Sequence, residues 1–281
     1  MQTLEIFQSL WAMELRRPEQ PERPVEENFA MVAAAGFDGM CLDPSIAEIE
    51  DTLKLKKHFE ASGLKCMLNA FPYKLSELPP LLQMARELDA CLVNVIGGVM
   101  PLTIEAGAPV IQRWIADADD VGIPLLFETH RDSILNDLHY TLQMLDAVPE
   151  MRLCADLSHF VIDREMPLPL SDDNHAYMHR ILAQSDCFQG RISNREQIQV
   201  PIGFPQHQQW VNMFKGWWKD GMRMWRERNA ADATLIFLCE LGPPSYAITD
   251  ARGNELSDRW EEAQVIKSWV EDIWMELSTS V

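Results

Sequence analysis

Three carboxylates in this chain each close an apolar stretch. Glu128 follows IPLLF, Asp156 follows MRLCA and Glu240 follows ATLIFLC. An acid that ends a buried run does not belong to a solvated charge face. Each has polar company. Glu128 is followed by Thr129, His130 and Arg131, and Asp156 opens the segment DLSH, which sets His159 one turn further on. A fourth stretch, CFQGRIS, carries Gln189 and Arg191. In an extended strand, residues two apart share a face. Leu126, Glu128 and His130 then form one set, Cys154 and Asp156 a second, Gln189 and Arg191 a third, Leu238 and Glu240 a fourth. Were these faces to converge, three anions would meet, and adjacent anions do not all stay ionised without a cation. A divalent metal is the economical partner. One acid at a strand end is equally explained as a helix cap or an arginine's partner, but three on separate strands weaken that explanation. His130 by itself reads as a satisfied buried histidine. Arg191 either neutralises an acid or anchors a substrate carboxylate, phosphate or hydroxyl.

Apolar runs with strand character supply the elements that must position these groups. They fall at 3–9, 37–42, 64–70, 90–96, 123–129, 151–157, 187–193 and 233–240. The intervals are wide enough for a crossover helix in each gap. EENFAMVAAAG ends in Gly36, and DTLKLKKHFEASG begins at a capping Asp51 and ends at Gly63. Segments 76–90, 103–122, 133–148 and 258–277 place apolar residues three and four apart. Trp217, Trp218 and Trp225 sit in another helical pattern and read as packing residues. Helices that run through glycine into the next strand (AAAGFDGM, ASGLKCM, DDVGIPLL) point to parallel strands covered by helices. Eight such units match a (β/α)8 TIM barrel occupying residues 1–281 as one domain. A doubly wound sheet would carry a glycine-rich phosphate loop after the first strand, whereas ELRRPEQPERP holds no glycine. Two loops, 18–24 and 194–209, are placed to border a binding mouth.

Composition narrows the function classes. The chain has 281 residues, 47% hydrophobic and 24% charged, within the range of folded globular proteins. With 43 acidic against 24 basic side chains the net charge is −19, which disfavours nucleic acid and anionic membrane surfaces as partners. No apolar run approaches the roughly 20 residues of a membrane span, and the first residues lack the pattern of a signal peptide. Six cysteines without a CxxC pair, all in apolar surroundings, are expected to be reduced, buried thiols of a cytoplasmic protein.

The segments FETHRDS (127–133), RLCADLSHF (152–160), GRISNREQIQVP (190–201) and CELGPPSY (239–246) resemble the xylose isomerase-like (β/α)8 barrel superfamily. That group contains sugar isomerases and epimerases together with endonuclease IV. The resemblance spans nearly the whole chain. It implies a metal held by Glu128, Asp156, position 189 and Glu240. It also implies that His159 and Arg191 contact substrate. As an isomerase or epimerase, the chain would use Glu128, Glu240 and His159 in catalysis, with His130 beside Arg191 at the substrate. The H-x-R pattern expected on strand seven reads Gln189-Gly190-Arg191 here. A glutamine carbonyl makes the ligand set all oxygen, which favours Mg²⁺ or Mn²⁺ over Zn²⁺. The implied reaction is proton transfer through an enediolate of a small carbohydrate or sugar acid, in a barrel that can pair as a homodimer. Gln189 motivates an alternative, a catalytically impaired barrel that binds a ligand. A metal-dependent hydrolase of the endonuclease IV type is the weakest reading, because seven histidines and a charge of −19 fit neither a His-rich metal cluster nor a basic groove.

Overall fold

A computed structural model describes residues 1–14 and 21–279. Eight strands alternate with helices: β1 (Thr3–Ser9), β2 (Gly39–Leu42), β3 (Lys65–Ala70), β4 (Leu92–Val95), β5 (Leu125–Glu128), β6 (Leu153–Ala155), β7 (Ser185–Gln189) and β8 (Thr234–Cys239). Every neighbouring pair is parallel, and β8 pairs with β1, so the sheet closes into a barrel in sequence order. The fold is the (β/α)8 TIM barrel expected from the sequence.

Among the described residues ten α-helices cover it: α1 (Val25–Ala34), α2 (Ile49–Leu53), α3 (Lys56–Ser62), α4 (Leu78–Glu87), α5 (Ile104–Val121), α6 (Leu138–Ala147), α7 (Leu157–Asp163), α8 (Asp172–Ala183), α9 (Gln208–Arg228) and α10 (Arg259–Thr279). Local chemistry fixes several of their ends. Thr103 caps α5 by accepting from Ala106 N, Asp137 caps α6 by accepting from Tyr140 N, and Ser171 caps α8. Gly63 and Gly122 stop α3 and α5 in the left-handed region, at φ 72° and 76°, where a side chain would be strained.

Strand alternation divides the core in two. Phe7, Cys41, Met67, Leu126, Cys154, Cys187 and Leu238 fill the barrel interior. Residues of opposite parity, such as Phe127, Leu153, Phe188 and Phe237, pack outward against the helices. The tryptophans of α9 belong to that outer layer: Trp217, Trp218 and Trp225 are buried, and Trp218 meets Phe237 edge to face at 5.2 Å.

Some expected elements shift. The helix placed at 51–63 is two helices, because Lys54 N and Leu55 N bond back only three residues, to Asp51 O and Thr52 O, which tightens the chain. Asp51 is therefore not a cap; it lies in the first turn of α2. Strand seven ends at Gln189, so Arg191 lies beyond it rather than on its face. The pattern 151–157 holds a three-residue strand, and α7 begins at Leu157. Helix α8 is not legible in the sequence, since only Met178, Ile181 and Leu182 give it a buried apolar face. Segment 194–207 is irregular apart from a 3-10 turn at Pro205–His207, and the last two residues of the loop placed at 194–209 already belong to α9. Of the loop placed at 18–24, residues 18–20 lie outside the described residues, and 21–24 form an irregular lead into α1. Five cysteines are buried and Cys91 is half-buried; all six are free thiols. Among the described residues no helix is long and apolar enough to cross a membrane.

Candidate active site

The strand ends deliver the acids to one place. Glu128 is the last residue of β5, Asp156 follows β6, and Glu240 follows β8. All three are buried, and an oxygen of each lies within 4.8 Å of the others. Asp156 has a second task as the cap of α7, accepting from Ser158 N at 3.0 Å through Oδ1. Its Oδ2 faces the other way, 3.4 Å from His159 Nε2 and 3.2 Å from Arg191 Nη1.

Although it lies past the strand, Arg191 reaches the cluster because its Nε donates to Glu240 O at 3.0 Å. Its Nη2 then stands 3.5 Å from Glu240 Oε2. The guanidinium, 2% exposed, lies 4.8 Å from the Tyr246 ring centre and 5.9 Å from that of Trp11. Gln189 donates from Nε2 to Glu128 Oε2 at 2.7 Å, and its Oε1 is buried without a hydrogen-bond partner. His159 is fully buried with no hydrogen bond at either ring nitrogen, and the half-buried His130 ring packs on it at 4.1 Å. His130 Nδ1 accepts from Asp132 N at 3.1 Å.

Electrostatics follow from this crowding. Burial, and then the charge of Asp156, push the Glu128 carboxyl up to about 8. Burial and the Glu128 charge raise Glu240 well above the carboxylate range. Burial also acts on Asp156, yet Arg191 and His159 outweigh it and hold that carboxyl below its ordinary value. Burial lowers both histidines, His130 to about 3, so each imidazole is neutral at pH 7. Three acids face one guanidinium. Without another cation two of them relieve the repulsion by holding protons. A divalent ion would relieve it with all three ionised. The donors fit such an ion: beyond their contacts with Arg191 and His159, Asp156 Oδ2 and Glu240 Oε2 are buried without hydrogen-bond partners, as is Gln189 Oε1.

Above the acids lies a cavity of about 340 Å³. Trp11, Phe71, Ile96 and Tyr246 form its apolar walls, while Asp43, Glu128, His130, Arg191 and Glu240 supply its polar surface. The structure thus gathers the residues singled out in the sequence, namely Glu128, His130, Asp156, His159, Gln189, Arg191 and Glu240. It adds Asp43, Asn69 and Asn94, which the sequence reading missed. Their signal is a polar residue inside an apolar run (LKCMLNA, CLVNVI) or just past one (GMCLD).

A closed parallel barrel with an acid cluster at the C-terminal ends of its strands defines the class to which this molecule belongs. No protein-family model and no curated protein sequence matches the chain. Solved structures do. L-ribulose 3-epimerase aligns with a TM-score of 0.67 at 14% identity, covering 99% of this chain and 97% of that one. D-psicose 3-epimerase, crystallised in the presence of D-fructose, aligns at 0.62 and 14% identity over 96% and 99%. A xylose isomerase-like TIM barrel protein from Mycobacterium smegmatis, in complex with magnesium, aligns at 0.59 and 16% identity over 95% and 97%. The chain therefore has the fold of the xylose isomerase-like barrels.

Proposed function

We propose that this protein is a divalent-metal-dependent isomerase or epimerase of a small hydroxy-carbonyl carbohydrate, a sugar or sugar acid. The convergence of Glu128, Asp156 and Glu240 carries this reading: three buried carboxylates with oxygens within 4.8 Å of one another, of which Glu128 and Glu240 line the cavity. Those acids and the Gln189 carbonyl would hold the ion, with Mn²⁺ or Mg²⁺ suiting four oxygen donors. The bound ion would polarise the substrate carbonyl and acidify the neighbouring C–H.

The chain's own groups do the rest. Glu128 or Glu240 accepts the carbon-bound proton, and the C–H electron pair becomes the C=C bond of an enediolate. The opposite glutamate, or the same one for an isomerisation, returns a proton to carbon. His159, neutral and with both ring nitrogens free of hydrogen bonds, donates to the oxygen on which charge develops. Arg191, fixed by Glu240 O and by the Tyr246 ring, orients a substrate oxygen, and His130 lines the same cavity. Trp11, Phe71, Ile96 and Tyr246 limit water at the reacting carbons. The structural relatives act on sugars by their names, L-ribulose and D-psicose 3-epimerase, which supports the substrate class.

Metal analysis by mass spectrometry of protein prepared without chelator, then reloaded with Mn²⁺, tests the reading. About one equivalent is expected, together with incorporation of deuterium from heavy water into a ketose substrate. A second reading, a ligand-binding barrel, draws on the Gln189 amide, which turns its Nε2 rather than its carbonyl toward Glu128. Protein that retains no metal after reloading would favour it.

A further inference from the structure

Beneath the glutamates lie two buried amides to which the proton transfer assigns no role. Asn69 of β3 and Asn94 of β4 are in-register partners on adjacent strands, 1% and 0% exposed. Polar groups in a barrel interior are costly unless hydrogen-bonded. Here nearly every donor is spent on an acid. Asn94 Nδ2 donates to Glu128 Oε2 at 2.6 Å and to Asn69 Oδ1 at 2.8 Å. Asn69 Nδ2 donates to Glu240 Oε1 at 3.2 Å and to Asp43 Oδ1 at 2.7 Å. An amide nitrogen has two hydrogens, so both are fully committed. The ladder is directional: all four bonds run toward a carboxylate or toward the amide that serves the next one.

The consequence is a choice of oxygens. Glu128 Oε2 is taken by Asn94 and Gln189, and Glu240 Oε1 by Asn69. The second oxygen of each carboxylate is left for the cavity. Glu240 Oε2 has no hydrogen-bond partner and stands 3.5 Å from the guanidinium of Arg191. We propose that Asn69 and Asn94 are positioning residues of this site, an in-register amide ladder that fixes the side-chain rotamers of Glu128 and Glu240 and decides which oxygen of each meets metal and substrate. This inference rests on the reading of those glutamates as ligands and proton carriers.

Asn94→Leu tests it, because leucine matches the size of asparagine and removes both donors. The first measurement is the crystal structure of the variant, in which Glu128 is expected to leave its rotamer. The second is Mn²⁺ affinity by electron paramagnetic resonance, expected to weaken about 10-fold or more, as when an outer-shell partner of a metal ligand is lost. Asn69→Leu should displace Glu240 in the same way and spare Glu128. Asn94→Ala serves if the leucine variant does not fold. A purely structural role would lower the melting temperature and leave both readings unchanged. Folded variants that keep both glutamate rotamers, with Mn²⁺ affinity within about twofold of the parent, overturn the proposal. A parent that takes up no Mn²⁺ would instead refute the metal part of the functional reading, and the rotamers alone would then decide this one.

Discussion

Glu240 has the least support of the three clustered acids. Glu128 accepts two amide N–H bonds and Asp156 caps a helix, whereas Glu240 accepts one side-chain bond, at 3.2 Å. Its charge is the one a cation would stabilise most. Glu240→Gln keeps the shape and the contact with Asn69 while removing that charge. Metal content of the reloaded protein is therefore expected to fall from about one equivalent toward none, with solvent-exchange activity falling at least 100-fold, in the range for a lost acid–base group. Unchanged metal content in this variant would place the ion elsewhere. The acids were legible in the sequence because a charge at the end of an apolar run breaks the local pattern. Asn69 and Asn94 were less visible, since an uncharged amide inside a strand resembles a tolerated polar substitution until its partners from other strands are known. Asp43 was missed for a related reason: it follows a run of only four strand residues.

At the scale of elements, two contacts that hold the loops above the barrel make distinct predictions. Gln199 clasps Gly242 from both sides, accepting from its N at 2.7 Å and donating to its O at 3.0 Å. A Cβ on Gly242 would lie 2.5 Å from the Trp11 indole and 2.7 Å from Tyr246 Cβ. Gly242→Ala must therefore move the aromatic wall that flanks Arg191. A loss of about 1–3 kcal/mol in denaturant unfolding is expected, with weaker substrate binding. Helix α10 is tied to the loop after β7 by Ile202 N, which donates to Glu262 Oε1 at 2.9 Å. Burial lifts the Glu262 carboxyl to about 7 from its ordinary 4.5. Between those values the folded chain holds a proton that the unfolded chain has released, so stability falls as pH rises through this window. Glu262→Gln keeps the acceptor for Ile202 and removes the penalty, on the order of 3 kcal/mol above pH 7. Its melting temperature should exceed the parent's at pH 8, with the difference gone near pH 4.5. Strand count and helix alternation were readable because periodicity is local. The break between α2 and α3, the early end of β7 and the whole of α8 were not, because tertiary packing sets them.

For the molecule as a whole, the parity of the strands sorts the cysteines as well as the acids. Cys41, Cys154 and Cys187 line the barrel interior, Cys66 and Cys239 face the helices, and Cys91 is half-buried. Burial raises the Cys41, Cys66 and Cys154 thiols well above their ordinary range, and Cys239 with them, so little thiolate exists in the folded state. The chain thus carries its own clock for barrel opening. A thiol-alkylating reagent should mark Cys91 first, Cys66 and Cys239 when helices lift from the barrel, and Cys41, Cys154 and Cys187 only when strands part and the interior meets water. Mass spectrometry of peptides from briefly labelled samples would read out the order in which the staves separate. It would do so in a crude lysate and without a dye, and uptake at Cys154 as fast as at Cys91 would show a barrel far looser than its packing implies.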